Sequence, residues 1–324
     1  MKILYLTILT IILNTSCKKK EIDMQNENIN SENIVKEINK NIENYKEQPI
    51  YVLTCESNNC NYELFIDDII CHKVFNKSSL SSAVELNPFL FESKKIIIKY
   101  KLYPVKGEEY LADNSYLELA LESYDAIKTN EEKKYYSHIT PSSQIKVSDK
   151  YSEDKFVCSG KKNFQEEFSI DLKLPYKHKP VFSNGRDLSK INPDELKTKL
   201  IKSYQKVWDT YNNKDLDGIA RLMYNSLNDL SINSYRNIDQ IDKSWKNIIS
   251  IVKNDTFEMQ PLKDYKLEFF ANGRLVALMS TNPDYRNKGN TALWARVNHD
   301  GGMRPLFCNR YFYIPEGETE FKVY

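Results

Sequence analysis

Six cysteines, four histidines and one pair of adjacent aspartates are the residues of this 324-residue chain whose types and spacing could do chemistry. Cys55 and Cys60 flank Glu56, Ser57, Asn58 and Asn59, a turn-prone stretch between two strand-like runs. A four-residue loop there would set the two thiols opposite each other, within disulfide reach. The closed loop is short, so the bond would constrain the unfolded chain only modestly. Cys55 and Cys60 with the Cys71-His72 pair offer four soft ligands, but not at the spacings of zinc modules, so no metal is expected. Cys158 and Cys308 read as small buried hydrophobes. None of His72, His138, His178 and His299 is spaced with a second histidine as a metal-binding face requires. Asp67 and Asp68 sit between two apolar runs, where adjacent side chains point apart, so they read as a hairpin turn rather than an acid–base pair. The chain has no GxSxG, HExxH, Walker A, GxGxxG or EF-hand loop, and only nine glycines for phosphate-cradling turns. No catalytic residue and no cofactor is expected.

The sixth cysteine has a different setting. Lys2 precedes an apolar run over residues 3–13, broken only by Thr7 and Thr10. About 20 apolar residues are needed to cross a bilayer, so this run is too short to span one and has the form of a secretory signal peptide. It ends in Leu13-Asn14-Thr15-Ser16-Cys17. Small residues directly before a cysteine resemble the lipobox of bacterial lipoproteins. That resemblance implies cleavage before Cys17 and a diacylglyceryl group on its sulfur. Two or more acyl chains hold a protein firmly at a membrane, at about 0.8 kcal/mol per buried CH₂. The expected location is therefore the bacterial cell envelope, outer membrane included, on the periplasmic or surface face. Lys18, Lys19, Lys20, Glu21 and Asp23 follow. They resemble a surface-export tag of some Gram-negative lipoproteins, and equally read as the start of a solvated tether.

Composition bounds the rest. Cleavage before Cys17 leaves 308 residues, enough for about two domains. At 41% hydrophobic, the chain can build packed cores. Lys and Arg number 46 against 45 Asp and Glu, a balance without the clustered basic face that nucleic-acid binding uses.

Those side chains need elements to hold them. Residues 17–48 are polar and read as the lipidated cysteine and a tether, with Ile34, Ile38, Ile42 and Tyr45 at helical spacing inside it. Such a stripe is marginal without a partner. From residue 49 the texture is strand-like. Ile96, Ile98, Tyr100 and Leu102 alternate with Lys95, Lys99 and Lys101, a half-buried strand with a basic outer face. Leu117, Leu119 and Leu121 alternate with Glu118, Ala120 and Glu122, and the stretch 164–174 alternates likewise. Residues 130–154 are polar and read as loop. Six or more short strands predict an antiparallel β-sandwich over 49–178. Pro180 and Gly185 mark a linker over 179–192.

Residues 193–324 then switch to helical period and back. Asn192, Pro193 and Glu195 form a helix start, and Leu196, Leu200, Tyr204, Val207, Trp208 and Tyr211 one apolar stripe. Two more helices carry Leu216, Ile219, Leu222 and Met223, then Ile241, Trp245, Ile248 and Val252. Asn272-Gly273 is a strong hairpin signal, and residues 298–302 make a second hairpin turn. Three helices followed by a curled antiparallel sheet, with the run from Trp208 through Asn212, Asn213, Lys214 and Asp215 to Ile219, resemble the nuclear-transport-factor-like fold, an α+β cone. The resemblance implies a pocket inside the cone, which Tyr204, Trp208, Trp245, Trp294 and Tyr311 would line. Those are aromatic rather than acid–base groups, and an aromatic stripe is more often core.

The first expectation for function is a membrane-anchored, non-enzymatic binding protein, with the lipid bilayer and an unknown protein or glycan as partners and no nucleic acid. A toxin-neutralising lipoprotein and a small-molecule binder or enzyme using the cone pocket are the alternatives. The 22 tyrosines favour a binding surface weakly.

Overall fold

The structure, a computed structural model, describes residues 25–128, 132–299 and 301–324. Cys17 and the leader lie outside the described residues. The chain forms a β-rich N-terminal part and an α+β C-terminal part.

The N-terminal part holds ten strands: β1 (Pro49–Asn58), β2 (Asn61–Ile66), β3 (Ile69–Val74), β4 (Ser79–Glu85), β5 (Lys94–Tyr103), β6 (Tyr116–Asp125), β7 (Lys133–Ile139), β8 (Ser142–Ser148), β9 (Tyr151–Phe156) and β10 (Phe164–Leu172). Two four-stranded sheets, ordered β4-β1-β6-β7 and β10-β5-β2-β3, close on one core. Alternation decides which side chains fill it: Leu53 and Leu119 from one sheet, Leu64, Ile98 and Tyr100 from the other. Asp67 and Asp68, both at positive φ, turn β2 into β3.

Two expectations change here. β1 and β2 do not form a hairpin. β1 pairs with β4 and β6, β2 with β3 and β5, and the chain crosses between sheets at Asn59, whose φ is 48°. Cys55 and Cys60 therefore belong to different sheet surroundings, and both thiols are free. Residues 130–154 are not loop where described: β7 adds to the edge of one sheet, and β8 and β9 pair as a separate two-stranded ribbon.

The C-terminal part has α2 (Pro193–Asn212), α3 (Leu216–Asn233) and α4 (Ile238–Lys253), and α3 and α4 pack with α1 (Ile34–Asn39). Asn192 caps α2 by accepting from the Asp194 and Glu195 N–H groups, and Asn237 and Gln240 form a reciprocal capping box on α4. The strands are β11 (Glu258–Met259), β12 (Tyr265–Phe270), β13 (Leu275–Ser280), β14 (Trp294–His299), β15 (Gly302–Phe307), β16 (Phe312–Tyr313) and β17 (Lys322–Val323). They make two sheets, β11-β14-β15 and β12-β13-β16-β17, joined by one bridge between Met279 and Thr291.

The expected tether over 17–48 is corrected for its described residues. Ile29, Ile34 and Ile38 are buried in the same core as Leu200, Trp245 and Leu278. The Trp245 indole donates to the Ser31 carbonyl at 2.8 Å, and Gln25 donates to the Val323 carbonyl at 2.8 Å. α1 has found the partner its isolated stripe lacked. Burying each isoleucine is worth about 1.5–3 kcal/mol. The linker over 179–192 is also packed, with Phe182 and Leu188 buried.

A third apolar cluster seams the two parts: Phe65, Ile69 and Phe91 from the first, Phe182, Phe270 and Tyr313 from beyond it. Asn87, wholly buried, donates to the carbonyls of Pro49 and Asn233 and accepts from the Tyr51 N–H. The basic outer face of β5 is partly covered as well, for Lys99 and Lys101 lie over the Phe65 ring.

Candidate functional site

Of the five aromatic residues expected to line one pocket, Trp208 and Trp294 meet at Gln260, Tyr204 and Tyr311 are neighbours, and Trp245 bonds elsewhere. Tyr204 is fully buried, and its hydroxyl donates to the Arg310 carbonyl at 2.7 Å and accepts from the Leu278 N–H at 3.1 Å. Trp208 donates to the Gln260 carbonyl at 2.7 Å. Trp245 is held by Ser31, and Trp294 tilts over Phe307 with centroids 6.3 Å apart. Tyr311 stands edge-on to Phe270 at the seam, 5.1 Å between centroids. Burial pushes the Tyr204 and Tyr311 phenols well above the usual tyrosine range. The polar atoms of Tyr204, Trp208 and Trp245 are committed to backbone carbonyls.

Cys55, Cys60 and Cys308 are held protonated. Burial pushes Cys55 and Cys60 up to about 12 and Cys308 up to about 11. A thiolate is the reactive form, so at pH 8 these thiols should alkylate orders of magnitude more slowly than in urea. Mass spectrometry after a timed iodoacetamide pulse reads this directly, and fast native labelling of Cys55 or Cys60 would contradict the burial. Among the described residues no group of three or more His, Cys, Asp or Glu is placed to hold a metal ion.

Two histidines gain carboxylate partners that spacing did not reveal. His138 Nε2 lies 3.2 Å from Glu166 and 3.1 Å from the Tyr100 hydroxyl, which also donates to Glu166. This cluster ties β7 to β5 and β10 across the open edge of the two sheets. His178 Nε2 lies 2.5 Å from Asp229, whose carboxylate is almost fully buried. Residues 178 and 229 come from the two sides of the expected linker, a pairing only the folded seam creates.

The feature most suited to recognition lies on the surface. Among the described residues, 14 large hydrophobics are exposed, and ten of them fall between residues 116 and 157. Tyr135, Tyr136 and Ile139 stand on β7, and Ile145, Val147 and Tyr151 on the ribbon. Every residue of β8 is exposed. The pairing of Ile145 with Glu153 puts Tyr151 on the face of Ile145, and a register shift between Lys146 and Ser148 leaves Val147 unpaired beside them. β7 ends its sheet, so one side of its backbone has no strand partner there. A two-stranded ribbon alone is marginally stable in water, and apolar exposure this concentrated marks an interaction site. The period-two pattern from residue 143 to 147 was the available sequence signal. It is short, because Ser143 leaves Ile145 and Val147 as its only apolar members, with Gln144 and Lys146 between. Comparison with protein-family models, with curated proteins and with solved structures gives no match for this chain.

Proposed function

We propose that this chain is an envelope lipoprotein, anchored through acylated Cys17, that binds a protein partner with the β7 edge and the β8–β9 ribbon. The observation that carries the reading is the concentration of ten exposed large hydrophobics within residues 116–157. Their chemistry favours protein. Tyrosine is enriched where proteins meet, and an open strand edge pairs with an extended segment through backbone hydrogen bonds. In this reading the N-terminal part is a β-sandwich that displays the ribbon. The C-terminal part, helices first and antiparallel strands after, is a nuclear-transport-factor-like module whose interior is filled by its own side chains.

The test is a photo-cross-linking residue at position 147, in cells, with the adduct identified by mass spectrometry. One dominant partner is expected. The triple variant Ile145→Ser, Val147→Ser, Tyr151→Ser should lose it while melting within a few degrees of the parent, since exposed substitutions typically change stability by about 0.5 kcal/mol or less. A toxin as the captured partner makes the chain a neutralising lipoprotein. Capture that survives the triple variant sinks the ribbon as the binding site. Anchoring is read separately: Cys17→Ala should move the protein from the membrane fraction to the soluble one.

A further inference from the structure

The seam between the two parts opens into a cleft of about 350 Å³, within the range of small-ligand sites. Its floor is apolar and aromatic, made by Ile69, Phe91, Phe182 and Ala271. Phe91 and Phe182 meet edge to face, centroids 5.9 Å apart, and His178 lies beside Phe91. Neither part alone makes this floor.

The rim is charged, and its charges do not cancel. Asp67 is matched by Lys94 at 2.7 Å, and Glu92 by Lys177 at 2.7 Å. The Lys177 hydrogen bond holds the Glu92 carboxyl below its usual range, with Lys177, Lys94 and Lys179 adding to the field. His178 faces Asp229. Lys179, whose field reaches Glu92, and Arg274 both line the cleft, and neither forms an ion pair within 4 Å among the described residues. The Ser183 hydroxyl, behind the same wall, is buried with no hydrogen-bond partner among the described residues. A buried polar group left unmatched in this way calls for an explanation. Two cations without an ion pair above a phenyl floor are complemented by a flat apolar body carrying an anionic group.

We propose that the cleft between the two parts is a binding site for a small aromatic carboxylate. The ring lies against Phe91 and Phe182, and the carboxylate faces Arg274 and Lys179. The guanidinium suits a carboxylate through paired N–H donors. This site is independent of the ribbon and of lipid on Cys17.

The experiment is a titration of the mature full-length chain with indole-3-acetate, followed by backbone amide NMR. The neutral analogue 3-methylindole is run alongside. Shifts are expected over residues 179–184 and 271–274, with at least tenfold weaker binding of 3-methylindole. Arg274→Glu and Lys179→Glu, both on exposed side chains, should each weaken indole-3-acetate about tenfold or more. Lys202→Glu on α2, a remote exposed lysine, should leave it unchanged, and melting curves report that each variant folds. No saturable shifts at millimolar ligand would overturn the proposal. So would equal binding of the neutral analogue, or affinity unmoved by both charge reversals.

Discussion

Ile38→Ala should destabilise the protein by roughly 2–5 kcal/mol, the cost of emptying a buried aliphatic site. The reason is that Ile38 is fully buried, in one core with Leu200, Ile241 and Trp245. A residue in a solvated tether would show almost no change at this substitution. Urea unfolding followed by tryptophan fluorescence gives the number, because the Trp245 indole is bonded to Ser31 just ahead of α1. A change under about 0.5 kcal/mol would return residues 25–42 to the status of a linker. The outcome bears on function. If Cys17 carries the proposed lipid and the packed chain starts where Gln25 docks on Val323, residues 18–24 lie between the two. At no more than about 3.6 Å per residue, that segment reaches roughly 25 Å.

The second large effect is a pH dependence centred on Lys73. Its ammonium is inserted into the seam, where it donates to the Gly289 carbonyl and to Asn290. Burial pushes its pKa from 10.5 down to about 8, against a smaller opposing pull from Glu63. Between about pH 8 and 10.5 the unfolded chain holds this proton and the folded chain does not. Stability contributed at Lys73 therefore rises with pH across that window. At about 1.4 kcal/mol per pH unit, the rise approaches roughly 3 kcal/mol. Cys55 and Cys60, raised to about 12 from 9.0, act in the opposite sense above pH 9, as do the buried tyrosines above pH 10. Those contributions are common to the parent and to Lys73→Met, so the difference between the two isolates the lysine. Urea midpoints measured from pH 7 to 10.5 should move in favour of the parent as pH rises. A difference that stays flat would mean Lys73 keeps its proton in the fold.

How far the sequence could be read depends on the range of the interactions involved. β5 was legible because Ile96, Ile98, Tyr100 and Leu102 repeat every second residue, and all four are buried. The turns at Asp67-Asp68 and Asn272-Gly273 were legible because these residues accept positive φ. β4 carries too few large apolar residues to signal a strand, and its register is set by β1. The ribbon was hidden for a different reason. A strand exposed on both faces has little hydrophobic alternation to show, and β8, exposed throughout, offers only Ile145 and Val147.

The candidate sites follow the same division. The aromatic stripe on α2 was correctly seen as a stripe, but periodicity reports which face is apolar and not what that face meets. Tyr204 meets β13 and the Arg310 carbonyl, so it is core. The cleft was not legible, since its floor joins residues from 69 to 271 and its charge depends on which lysines find carboxylates.

Short-range chemistry was enough for the cap at Asn192, the tight turns and the change from strand to helical period near residue 193. Tertiary structure alone decided that β1 and β2 part at Asn59, leaving Cys55 and Cys60 as free thiols. It alone decided that α1 completes a core nearly two hundred residues away, and that His178 meets Asp229. Local propensity is a sum over neighbours in the chain. These outcomes depend on which distant apolar surfaces exclude water together, and no window of sequence contains both partners.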